Sequence, residues 1–118
     1  MIAVIFEVEP AEGRFDDYLD HAARLREALV AMPGFISVER FRSLTNPGKL
    51  LSLSFWADEA AVAGWRSHMG HRASQAAGRE GIFAGYRLRV AAVLRDYTMG
   101  ERREQAPEDS NAAFTPTG

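Results

Sequence analysis

Between Leu51 and Asp58 the side-chain period of the chain changes from two to about three and a half. Leu51-Ser52-Leu53-Ser54-Phe55-Trp56 alternates as a strand does. Asp58 follows as a residue able to cap a helix, with Glu59 favourably placed near the positive helix end. A helical stretch then carries a second tryptophan, Trp65, and Ser67-His68-Met69-Gly70-His71-Arg72 follows it. A strand leading straight into a helix argues against an all-α or an all-β chain.

The remaining segments give the order of elements. Ile2, Val4, Phe6 and Val8 fall on one face of a first strand, and the other face, Ala3, Ile5 and Glu7, is mostly apolar too. Such a strand needs cover on both sides. After the turn Pro10–Gly13, Phe15, Tyr18, Leu19, Ala22, Leu25 and Leu29 recur at helical steps, and Met32-Pro33-Gly34 ends that helix. Phe35 to Arg42 sets Ile36, Val38 and Arg40 against Phe35, Ser37, Glu39 and Phe41. Thr45-Asn46-Pro47-Gly48 is a turn, so the strands on either side form a hairpin. Gly70, Gly78 and Gly81 predict that the second helix breaks or restarts near Gly70 and fades before Phe83.

Strands are expected near residues 2–9, 35–43, 49–57 and 86–97. Strand, helix, strand, strand, helix, strand is the ferredoxin-like βαββαβ arrangement, an α+β fold with four antiparallel strands and both helices on one face. Residues 1–97 would form this domain and residues 98–118 a polar tail, disordered or packed on a partner subunit. The sheet face opposite the helices would be apolar and exposed. Packing two such faces together in a symmetric homodimer hides both.

Several function classes are disfavoured. The net charge is −2 with acids and bases interleaved, so no basic stripe suggests nucleic acid or an anionic membrane. There is no cysteine, hence no disulfide and no thiolate metal site or nucleophile. No apolar run approaches the ~20 residues of a membrane span, and the start of the chain reads as a strand rather than a signal peptide, so the cytoplasm is the expected compartment. No glycine-rich loop follows a strand in the way that cradles phosphates.

The residues able to carry chemistry gather around Trp65. On a continuous helix Trp65, His68, Met69 and Arg72 share one stripe, which is equally the pattern of plain core packing. The functional alternative is a pocket between the second helix and the sheet, with Trp65 as a flat apolar wall and His71 exchanging a proton near neutral pH. His68 is the second candidate for that exchange. Trp56, His68, Arg72, Tyr86 and Arg87 are the candidates for contacting a substrate, and Tyr18 and Tyr97 add hydroxyls that could line the pocket or cap its edge. His21, beside Asp17, Asp20 and Arg24, is expected to be exposed. His68 and His71 could meet one metal ion, but no third ligand is apparent.

The strand–cap–helix unit with Trp65, His71 and Arg72 resembles the antibiotic biosynthesis monooxygenase family, over roughly Met1 to Tyr97. The resemblance implies a dimeric α+β barrel. Some members oxidise polyketide quinols without a cofactor and some degrade haem. Trp65 matches the tryptophan that lines the pocket in several members, and His71 matches the histidine of a stretch common among relatives. Haem-degrading members carry a ligand histidine ten residues after their tryptophan and an asparagine on the first strand; here Gln75 takes the first place and no asparagine takes the second. Quinol-oxidising members place a polar side chain, often asparagine, near the tryptophan; one turn before Trp65 this chain has Ala61. The resemblance therefore implies a cofactor-independent monooxygenase for a small aromatic or quinol-like substrate. In that scheme His71 takes the phenolic proton and Arg72 or Arg87 steadies the anion. A non-catalytic dimeric binding module and a haem-binding enzyme are the alternatives.

Overall fold

The structure, a computed structural model, describes residues 1–68, 72, 75, 76 and 78–109. Its elements run β1 (Ile2–Pro10), α1 (Phe15–Val30), β2 (Phe35–Arg42), β3 (Leu50–Trp56), α2 (Glu59–Arg66) and β4 (Phe83–Ala92), with a 3-10 turn at Arg103–Gln105. The four strands form one antiparallel sheet in the order β2-β3-β1-β4, the ferredoxin-like α+β arrangement that the alternation and turns predict.

Register sorts the side chains into rows across the sheet. On the helix-covered face Arg42, Leu50, Val8 and Tyr86 lie in one row, Arg40, Ser52, Phe6 and Leu88 in the next, and Val38, Ser54, Val4 and Val90 in a third. The pleat turns Ile5, Glu7, Leu51, Leu53, Phe55, Arg87 and Arg89 to the opposite face. There Glu7 meets Lys49 at 3.1 Å and Arg89 at 3.3 Å, while Leu51, Leu53 and Phe55 remain partly exposed.

Local chemistry fixes both ends of α2. Asp58 Oδ1 accepts the Ala61 amide at 2.9 Å, the N-cap that its position predicts. The helix stops at Arg66, earlier than the break expected near Gly70. The Ser67 hydroxyl donates to the Ala63 carbonyl at 3.3 Å, in competition with the backbone ladder. Gly34, which follows α1, has φ of 80°, and a Cβ there would stand 2.5 Å from the Ala61 Cβ. Only glycine lets the start of β2 pass this close to α2.

β4 differs from expectation at both ends. It begins at Phe83 rather than Tyr86 and stops at Ala92 rather than Tyr97. The cause is its partner: Ile2 pairs with Ala92, and the Val93 amide reaches the Met1 carbonyl at 3.0 Å, after which β1 has ended. A strand cannot continue without a ladder to join. Beyond Val93 the chain folds on itself. The Asp96 amide donates to Gln105 Oε1 at 2.9 Å, Arg102 pairs with Asp96 at 3.2 Å, and the Arg103 guanidinium lies over the Tyr97 ring. Leu94 and Met99 are left 83% and 81% exposed.

The core beneath the helices is divided. One cluster joins Val8, Tyr18, Ala22, Leu50 and Ile82, with Phe6, Phe15 and Phe83 against it. The other joins Leu29, Trp56 and Val62, with Ile2, Val4, Met32, Phe35, Val38, Ala61 and Trp65 against it. Among the described residues no helix is long and apolar enough to cross a membrane.

Candidate functional site

The division has a physical origin in the two middle rows of the sheet. Where a continuous core would carry aliphatic side chains, β3 presents Ser52 and Ser54, and β2 presents Arg40. Polar groups there cannot be closed over by apolar packing without a cost. A cavity of about 830 Å³ occupies the space between α1, the sheet and α2. One side of it is formed by Leu29, Trp56, Val62 and Trp65 and the other by Phe6, Phe83, Tyr86 and Leu88, with Tyr18, His21, Arg40 and the two serines between.

The tryptophan side is closely packed. Trp56 is 1% exposed, its ring lies 5.5 Å from Phe35 edge-on and 6.4 Å from Trp65, and its indole N–H donates to Ser54 Oγ at 3.0 Å. Trp65 in turn stacks on His68 with ring centres 5.6 Å apart and planes at 19°. The opposite side is aromatic as well. Phe6 contacts Phe83 and Tyr86, and Phe83 contacts Tyr18. Tyr86 lies on the edge strand and is 68% exposed, so this side opens toward solvent.

Tyr18 and His21 stand three residues apart on α1 and thus on one helix face, above Arg40. Both are buried, at 3% and 7% exposed. Burial pushes the Tyr18 hydroxyl upward in pKa, while the charge of Arg40 and its hydrogen bond to that hydroxyl pull the other way. Burial also holds the His21 imidazole below its ordinary value, with Arg24 and Arg40 adding to the effect and Glu80 opposing it. The imidazole is therefore neutral at neutral pH and able to accept a proton.

The structure brings together only part of the constellation expected from sequence. Trp56, Trp65 and Tyr86 line the cavity. His68 is exposed and supports Trp65 from outside. Arg72 is exposed and is not part of the wall, and Arg87 faces the opposite side of the sheet across from Glu7, because past the register shift near Gly85 the odd-numbered positions of β4 point away from the helices. Neither is among the described residues that line this cavity. His71 lies outside the described residues. His21, expected to be exposed, is buried in the cavity wall. The signal for it was its place on the Tyr18–Ala22–Leu25–Leu29 stripe. Arg40 had a plainer signal, a charge alternating with Val38 on an inward face of β2.

A haem group would need an axial ligand from this wall. Among the described lining residues the imidazole on offer is His21, which is buried beside Arg40, and Gln75 is a poor donor for iron.

The sequence pattern of the family described as "Antibiotic biosynthesis monooxygenase" matches residues 1–77. The jasmonate monooxygenase ABM of Pyricularia oryzae is 46% identical over 93 residues, which are 79% of this chain and 43% of that protein. This chain thus spans under half the length of the fungal relative. The protein YqjZ of Bacillus subtilis is 33% identical over 93 residues, 79% of each chain. The solved structure of Rv0793 from Mycobacterium tuberculosis superposes with a TM-score of 0.74 at 18% identity, covering 82% of this chain and 98% of that one, a likeness of fold.

Proposed function

Since this chain belongs to the antibiotic biosynthesis monooxygenase family, we propose that it is a cofactor-independent monooxygenase acting as a homodimer in the cytoplasm on a small aromatic or quinol-like molecule. The observation that carries this reading is the cavity itself. It is large enough for a few fused rings, flanked by aromatic side chains, and supplied with a buried imidazole and a tyrosine hydroxyl. The fungal relative's name, a monooxygenase of a small organic molecule, supports the monooxygenase part of this reading.

In this scheme Trp65, backed by the buried Trp56, holds a flat ring by stacking, worth about 0.5–1.5 kcal/mol beyond area burial. His21 accepts the proton of the substrate hydroxyl, and the resulting electron-rich anion reduces dioxygen directly. One oxygen atom becomes a ring carbonyl of the product, the other leaves as water, and the substrate supplies all four electrons. The resemblance offers His71 as the alternative base, and burial in the cavity wall supports His21. For the homodimer, support comes from the partly exposed Leu51, Leu53 and Phe55 and from the exposed Leu94 and Met99 of the arm beyond β4.

The test is oxygen uptake with a panel of hydroquinones and polycyclic phenols, in the presence of a metal chelator. Uptake matched one-to-one by a quinone product that has gained one oxygen atom, without hydrogen peroxide, is expected. His21→Ala should lower kcat by ~10²-fold with the fold retained. Absence of turnover across the panel, or full activity in His21→Ala, would contradict the assignment.

A further inference from the structure

The charged side chains that line the cavity, among the described residues, are all arginines: Arg40, Arg66 and Arg79, with no aspartate or glutamate. This is not a reflection of composition, because the chain as a whole has 16 acidic against 14 basic residues. Arg66 and Arg79 are exposed at the mouth, whereas Arg40 is set into the wall.

Arg40 is the informative member. Its Nη2 donates to the Ala22 carbonyl at 3.2 Å, and its Nε is enclosed with no protein acceptor in reach. No carboxylate among the described residues forms an ion pair with it. A guanidinium keeps its charge at every physiological pH. This one has been drawn partly out of water beside neutral partners, the Tyr18 hydroxyl, the Ser52 hydroxyl and the His21 imidazole. An uncompensated cation in such a place stabilises an anion brought to it far more than a surface arginine does.

We propose that the cavity takes a carboxylate-bearing ligand, with the carboxylate bound at Arg40 and Tyr18 and the apolar remainder lying against Trp65 and Leu88. A carboxylate fits better than a phenol as the resting partner. It is ionised at neutral pH and supplies a full counter-charge on arrival, whereas a phenol with pKa of about 10 gains its charge only after losing a proton. Its two oxygens also match the guanidinium fork. Arg66 and Arg79 at the mouth raise the local concentration of anions. This inference rests on the cavity being the substrate site of the proposed monooxygenase, and it specifies the class of molecule admitted there.

The experiment compares cyclohexanebutanoate with its methyl ester, by titration calorimetry and by quenching of Trp56 and Trp65 fluorescence in the full chain. The acid is expected to bind at least tenfold more tightly than the ester. Arg40→Met should abolish that preference, Arg40→Lys should keep a part of it, and Tyr18→Phe should weaken acid binding while leaving the ester unchanged. Thermal unfolding of each variant establishes that it is folded. Equal binding of acid and ester, no binding of either, or an acid preference that survives in Arg40→Met would overturn the proposal. Because no turnover is measured, these outcomes separate from those of the oxygen-uptake test. A chain that selects the acid but consumes no oxygen retains this inference and loses the monooxygenase reading.

Discussion

Trp56 and Ser54, two positions apart on β3, are joined on the helix-covered face by an indole N–H donating to a hydroxyl at 3.0 Å. Both residues are buried, so the serine satisfies a donor that water cannot reach. Ser54→Ala leaves that donor without a partner, and a loss of about 1–3 kcal/mol is expected. Ser54→Thr, which retains the hydroxyl, should lose less. Urea unfolding midpoints of the two variants check this; equal midpoints would show the bond to be dispensable.

Gly34 offers a sharper test of packing. Alanine there meets both a φ of 80° and the Ala61 Cβ at 2.5 Å. Gly34→Ala should destabilise by about 1–3 kcal/mol, and the double variant Gly34→Ala/Ala61→Gly should regain only the steric part. Full recovery in the double variant would mean that backbone strain contributes nothing.

The environment of His21 ties stability to pH with a definite sign. Its folded pKa lies below the ordinary value of 6.5, because burial and the charges of Arg24 and Arg40 outweigh Glu80. Below about pH 6.5 the unfolded chain therefore binds its proton first, so stability should decline as pH falls and level off once the folded imidazole is also charged. Above 6.5 this group adds no pH dependence. His21→Gln should flatten the decline, as read from melting temperatures across that window and from the titration of the imidazole protons by NMR. An unshifted imidazole titration would contradict the burial argument.

Association through the helix-free face predicts that Leu53→Glu converts a dimer to a monomer in light scattering, since the charge would be placed among Leu51, Phe55 and their symmetry mates. Truncation after Ala92 should weaken the dimer, because it removes Leu94 and Met99. A wild-type chain that is monomeric at micromolar concentration would refute both expectations.

The strands and the first helix were legible because each is written in a local period. Asp58 was recognisable as a cap because capping is local chemistry. The end of β4 was not, since it depends on where β1 stops across the sheet. The site was legible on its apolar side alone: Trp56 and Trp65 stand out by size. Its polar side comes from α1 and β2, separate stretches that meet only after folding. His21 was assigned to the solvent by its charged neighbours, although the rotation of the helix places Tyr18 and His21 together. Which of Tyr86 and Arg87 faces the helices is not legible locally, because the phase of β4 is set by its pairing with β1, and a shift of one residue reverses which side chains point inward.

The two apolar clusters beneath the helices meet across a space that the chain does not fill. Whatever molecule enters it becomes the missing middle of the hydrophobic interior, and its binding energy adds to the folding energy by mass action. Heat resistance then reports occupancy: at a hundredfold excess over Kd a ligand would add about 2.7 kcal/mol. A melting-temperature screen of small molecules could thus locate the natural occupant before any reaction is known.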